Sequence, residues 1–141
     1  MLDSGVLIAY LDARDSWAEV ARAIVEDLVR PGRNPAIVST LSVMETLIRP
    51  MRRVPPGHST VIDFLSRWPN MEVMPADLAV AQEAASIRAH HGFLAPDALV
   101  IGTGIVAGVS HLVTGDERWK KRLTQIETRI GTIYLGDLAT A

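Results

Sequence analysis

Ile87-Arg88-Ala89-His90-His91-Gly92-Phe93-Leu94-Ala95-Pro96-Asp97-Ala98-Leu99 reads as the junction of two helices. Gly92 suits a helix C-cap, because glycine enters the left-handed region without a Cβ penalty. Pro96 suits the first residue of a new helix, where its missing N–H would have no partner anyway. Upstream, Leu78, Ala81, Ala85 and Ile87 supply an apolar side, which predicts a helix over Asp77–His91. Downstream, the second helix is predicted to run to about Ala107. Met71–Met74 before the pair and Leu112–Thr114 after it both read as strands.

The same alternation extends to both ends of the chain. Met1-Leu2 is a very short first strand before Asp3, and Ser4–Leu11 reads as a helix followed by a turn at Asp12–Ser16. Ser16-Trp17-Ala18-Glu19 has capping-box form and opens a helix to about Arg30, ended by Pro31, Gly32 and Pro35. Ala36–Ser39 is a further strand. A helix over about Leu41–Arg49 stops at Pro50, and another follows Pro55-Pro56-Gly57 over about His58–Trp68. Glu117 to about Thr124 is helical, and Thr132–Leu135 is the last strand. Five short strands between helices predict an α/β fold, a parallel sheet covered by helices, in one domain over residues 1–141.

Hydrophobic residues make up 48% of the chain and charged residues 21%, a globular composition. The absence of cysteine excludes a disulfide framework, a thiolate zinc site and a cysteine nucleophile, and it agrees with a cytoplasmic protein. No apolar run reaches the length of a membrane span, and no signal peptide is expected. The net charge of −2 means that any nucleic-acid contact must come from local patches rather than overall basicity.

Three aspartates occupy one kind of place. Asp3 follows the first strand, Asp116 follows the fourth, and Asp97 opens a helix. In parallel α/β sheets, ligands bind at the carboxyl ends of the strands, where these groups would converge. The positive end of its helix would also favour the ionised form of Asp97. Glu45 lies inside a helix, beside the apolar stripe of Leu41 and Ile48, so its carboxylate needs a cation or a donor. A metal ion and Arg49, one turn further on, are the alternatives. Each acid also has a purely local reading. Asp3 and Asp116 suit helix caps, Asp97 suits its helix dipole, and Thr114-Gly115-Asp116-Glu117 and Ser42-Val43-Met44-Glu45 both have capping-box form. Gathered in one pocket, four carboxylates would repel one another, raise the proton affinity of at least one, and suit Mg²⁺ or Mn²⁺. Such an ion would activate water toward a phosphodiester.

These residues carry a resemblance to the PIN-domain family, especially the VapC-type toxins of bacterial toxin–antitoxin pairs. Asp3-Ser4-Gly5-Val6-Leu7-Ile8 looks like the family's first motif, and Ser39–Leu47, centred on Glu45, is similar to the second. The opening stretch around Asp97 resembles the third and is the most distinctive, while Val113-Thr114-Gly115-Asp116 resembles the fourth. The match spans essentially the whole chain in order. It implies a PIN-like three-layer α/β/α sandwich with a mostly parallel five-stranded sheet. It implies Asp3, Glu45, Asp97 and Asp116 as catalytic ligands of Mg²⁺ or Mn²⁺, with Thr114 shaping the site through its hydroxyl. The implied activity is metal-dependent endoribonuclease, leaving 5′-phosphate and 3′-hydroxyl ends, in the toxin of a type II toxin–antitoxin pair. The implied partners are an antitoxin whose C-terminal segment covers the acidic groove, and a second copy bound through apolar helical surfaces. A PIN-fold interaction module with little or no activity and a housekeeping RNA-processing nuclease are the alternatives. The chain departs from the family at its short first strand, and at Gly5, where Asn, Ser or another small polar residue is more usual.

Arg49, Arg52 and Arg53 follow Glu45, and Arg118, Lys120, Lys121 and Arg122 follow Asp116. They are candidates for RNA phosphate contacts, the alternative being solvated faces with a Glu45–Arg49 pair. Trp17, Trp68 and Trp119 read as core or interface residues rather than base-stacking platforms. The four histidines lack zinc spacing, and Gly102, Gly104 and Gly108 suit close helix–sheet packing. A phosphatase of the haloacid dehalogenase type would need an aspartate at the position of Gly5, and a receiver domain would need an adjacent acidic pair near the N-terminus. Neither is present.

Overall fold

The computed structural model describes residues 1–140; Ala141, the last residue of the expected domain, lies outside them. β1 (Ala36–Ser39), β2 (Met71–Met74), β3 (His111–Thr114) and β4 (Gly131–Tyr134) form two parallel pairs, β1 with β2 and β3 with β4. Ala36 stands opposite Met71 in one pair, and His111 opposite Gly131 in the other. Between the pairs lies Leu2, which bridges in parallel to Val38 on one side and Val113 on the other. Its amide donates to the Ile37 carbonyl at 2.9 Å, and the Asp3 amide donates to the Val113 carbonyl at 3.1 Å. Among the described residues the expected five strands are therefore four, with a bridging residue where the first was predicted. The reason is local. Asp3 is already the N-cap of α1 (Ser4–Leu11), its carboxylate accepting from the Val6 amide at 3.0 Å, so the extended segment ends at Leu2.

Successive side chains of an extended segment point to opposite faces, and two cores follow. Leu2 and Val38 belong to one, with Val6 and Leu7 of α1, Ala21 of α2 (Ala18–Arg22), Val25 of its π-helical continuation (Ala23–Val29) and Leu65 of α4 (His58–Arg67). Met1 and Leu112 belong to the other, with Ile87 of α5 (Leu78–His91), Ile101 of α6 (Ala95–Val106), Phe93 and Leu123 of α7 (Glu117–Leu123). α3 (Thr40–Met51), a 3₁₀ turn (Thr124–Ile126) and α8 (Leu135–Ala139) complete the described chain.

The two helices read from the opening stretch are present, with Gly92 left-handed at φ 66° as the C-cap of α5. Pro96 is the second residue of α6, because Ala95 is already helical. Ser16 does not cap α2. Asp15 accepts from the Trp17 amide at 2.9 Å instead, and the helix begins at Ala18. α3 starts one residue earlier than expected and runs through Pro50 to Met51. Its cap is Ser39, whose hydroxyl accepts from the Ser42 amide at 3.0 Å, so the Ser42–Glu45 box does not form. Leu135, expected to end the last strand, opens α8.

Gly102 sits where α5 and α6 meet: a Cβ there would stand 3.2 Å from the Val80 carbonyl oxygen and the Ala84 amide nitrogen. At this glycine the close packing is helix on helix, not helix on sheet. Backbone atoms cannot rotate away, so Gly102→Val is expected to destabilise by about 1–3 kcal/mol through overpacking. A lower urea midpoint at an unchanged slope checks this.

Candidate active site

Parallel strands put their outgoing turns on one edge, and most of those turns open helices whose first residues carry polar groups. Asp3 caps α1 after Leu2, Ser39 caps α3 after β1, and Asp116 caps α7 just beyond β3. A cleft of about 560 Å³ lies at this edge, lined by Asp3, Glu45, Asp97 and Asp116 together. Asp15 and Glu117 join them. Among the described lining residues, six carboxylates face a single guanidinium, that of Arg118.

Asp3 is 8% exposed. One carboxylate oxygen holds the α1 cap, and the other accepts from the Thr114 hydroxyl. The Thr114 oxygen in turn accepts from the Asp116 amide at 3.0 Å, which ties the two strand ends together. Burial pushes the Asp3 pKa up to about 6 in spite of these donors, with a smaller push from Glu45. Thr114 and Glu117 form no capping box, since Asp116 itself caps α7, accepting from the Arg118 amide at 2.9 Å.

Glu45 meets α1 across the cleft, its Oε2 accepting from the Ser4 hydroxyl at 2.5 Å. Arg49, the alternative partner, lies 3.9 Å from Asp12 instead. The alternative Glu45–Arg49 pair is thus not formed, and both residues contact α1 and its C-cap instead. Asp97, the third residue of α6, has its pKa raised, first by burial, with Asp116 and Glu45 adding to it and Arg122 and Arg118 opposing. The helix N-terminus was expected to favour the anion; desolvation and neighbouring carboxylates outweigh it. Asp116 moves the other way. Hydrogen bonds from Arg118, the shortest 2.6 Å, hold its pKa below the usual carboxylate range.

The model of the PIN domain family matches residues 1–122, a span that includes all four sequence-predicted acids. The chain belongs to the PIN-domain family. Solved structures similar to this PIN domain include a toxin–antitoxin complex from Klebsiella pneumoniae, at 17% identity over 95% of both chains and a TM-score of 0.67. DNA-bound VapBC from Salmonella typhimurium is similar at 18% identity, 96% coverage of both chains and a TM-score of 0.69. FitAcB from Neisseria gonorrhoeae is similar at 18% identity, 96% coverage of both chains and a TM-score of 0.71. At these identities the likeness is one of fold. No curated protein matches the sequence. PIN domains are generally nucleases.

Among the described residues of this PIN domain, no three Asp, Glu or His side chains stand together as a ready-made metal cage. The donor chemistry nevertheless fits a hard divalent cation: the cleft is oxygen-rich and anionic, and two of its acids resist ionisation. Gly5 is part of this junction. A Cβ there would stand 3.2 Å from Asp3 Oδ1 and 3.6 Å from the Gly115 amide nitrogen, so α1 lies close against the turn after β3.

The basic candidates divide. Arg118 lines the carboxylate cleft, whereas Arg49 and Arg53 line a neighbouring groove of about 370 Å³ that shares Ile8 with it. Lys120 pairs with Asp137 at 2.7 Å, Arg122 donates to the Gly92 carbonyl at 2.9 Å, and Arg52 is exposed. Trp17, Trp119 and Tyr134 line the cleft, and Trp68 packs with Tyr10 and Phe64 away from it. Sequence reasoning missed Asp15, Glu117, Ser4 and Tyr134 as cleft residues. The adjacency of Ser4 to Asp3 and of Glu117 to Asp116 was the available signal.

Proposed function

We propose that this PIN domain, one domain over residues 1–141, is a metal-dependent endoribonuclease and the toxin of a type II toxin–antitoxin pair. One observation carries the reading: four carboxylates from distant parts of the chain share a cleft in which acids outnumber cations six to one among the described lining residues. Asp3, Glu45, Asp97 and Asp116 would hold Mg²⁺ or Mn²⁺. The chemistry such an ion supplies is charge neutralisation at the phosphodiester and a more acidic water. Thr114 orients Asp3 and Ser4 orients Glu45, each through a hydroxyl that donates to the carboxylate. Arg118 and Lys120 on one side, and Arg49, Arg52 and Arg53 on the other, contact RNA phosphates and position the strand without reading its bases.

The solved complexes of similar fold are toxin–antitoxin assemblies, which supports an antitoxin partner. Met44, Ile48 and Met51 on α3 are exposed apolar residues suited to a helical interface with a second copy. Among the described residues no helix is long and apolar enough to cross a membrane, and we place the protein in the cytoplasm with its RNA substrate.

The deciding experiment incubates purified protein with total RNA in Mg²⁺, Mn²⁺ or EDTA and maps the new ends. Cuts that need the ion support the nuclease; RNA left intact with both ions would favour the interaction module. Because phosphate contacts release counterions, raising salt from 50 to 200 mM is expected to weaken RNA binding by about tenfold or more. Affinity indifferent to salt would remove the arginines and Lys120 from the RNA interface.

A further inference from the structure

We propose that Arg118 is a tethered counter-cation of the acidic cleft, one that must leave Asp116 before a divalent ion can enter and that then binds the RNA phosphate. The proposal rests on the nuclease reading above. Asp116 Oδ1 accepts from the Arg118 amide at 2.9 Å and from its Nε at 3.0 Å, while Oδ2 accepts from Nη2 at 2.6 Å and from Nε at 3.1 Å. An ionised carboxylate offers about four lone-pair directions. Three N–H groups address them here: the backbone amide on Oδ1, one Nη2–H on Oδ2, and a single Nε–H shared between both oxygens. Both would bear positive charge against the same two oxygens, so a divalent ion ligated by Asp116 has to displace the guanidinium fork. The backbone bond can persist, because it belongs to the α7 cap.

Arg118 is free to make this exchange. Its side chain is 86% exposed, so swinging out breaks no packing. Neighbouring cations are held otherwise: Lys120 by Asp137 and the Tyr134 ring, and Arg122 by the Gly92 carbonyl and the Phe93 ring. An exposed ion pair is a weak competitor, so Arg118 tunes metal affinity rather than abolishing it. A phosphodiester in the cleft offers its planar fork a second bidentate acceptor. Metal and RNA therefore favour each other's binding, since each relieves the contact that opposes the other.

Titration calorimetry of the full chain with Mn²⁺, without RNA, tests this. Arg118→Gln is expected to tighten Mn²⁺ binding about fivefold, the scale of a well-made exposed ion pair. Arg118→Lys, with a single-point charge in place of the fork, should fall between the two. Arg67→Gln removes the same charge from an exposed pair with Asp63 outside the cleft and should leave the affinity unchanged. In cleavage assays Arg118→Gln should lower the Mn²⁺ concentration giving half-maximal rate while raising KM for RNA. Mn²⁺ binding by Arg118→Gln that is no tighter than wild type overturns the proposal. Asp3→Asn separates the two levels. If it weakens Mn²⁺ binding while Arg118→Gln fails to tighten it, only the role of Arg118 falls; if it leaves Mn²⁺ binding untouched, the ion does not use this cleft and both readings fall.

Discussion

Asp3→Asn is expected to yield a protein more stable than wild type in metal-free buffer and unable to cleave RNA. Burial sets the Asp3 pKa at about 6 against an ordinary 3.8, so the folded chain holds this proton more tightly than the unfolded chain does. As pH rises through that window, the unfolded state gives up the proton first and the wild type loses stability. The interval from 3.8 to about 6 corresponds to about 3 kcal/mol, a penalty absent below that interval and complete above it. Asparagine carries no charge to desolvate and keeps a side-chain oxygen for the Val6 amide, so the cap of α1 survives, while its NH2 reverses the Thr114 contact and donates to the hydroxyl oxygen. Melting curves in EDTA should therefore show the variant gaining on the wild type as pH climbs from about 4 to about 6. Added Mn²⁺ should narrow the gap, because only the wild-type carboxylate offers the ion its charge. A variant that melts below the wild type at neutral pH in EDTA would mean that the buried carboxylate is compensated without a metal.

Asp97→Asn should abolish cleavage and shrink the metal-induced rise in melting temperature. A ligand that binds only the folded state at a hundred times its Kd adds about 2.7 kcal/mol, so a lost ligand group shows directly in the shift. The rate is expected to fall by at least about a hundredfold, the scale on which one group stabilising charge in the transition state acts. The same carboxylate has a raised pKa through burial and through Asp116 and Glu45, so wild-type cleavage should climb with pH as Asp3 and Asp97 ionise. Wild-type turnover by Asp97→Asn would end the proposed mechanism. Intact folding of the variant is the needed control, and the half-buried position at the start of α6 favours it.

These two aspartates also mark the limit of what sequence reveals here. Residue order alone determined most of the elements: Gly92 and Pro96 punctuate a helix pair, short runs rich in Val and Ile mark strands, and Asp3 and Asp116 stand where strands turn into helices. Such features depend on backbone preferences and hydrogen bonds within a few residues, which local sequence encodes. Only the tertiary structure decided that Leu2 lies between the two strand pairs, that Glu45 meets Ser4 rather than Arg49, and that Asp15 and Glu117 enlarge the acidic cleft. It also decided that burial overrides the helix dipole at Asp97. Strand order, desolvation and the crossing of α1 with α3 bring together residues far apart in the chain, and no local pattern carries that information.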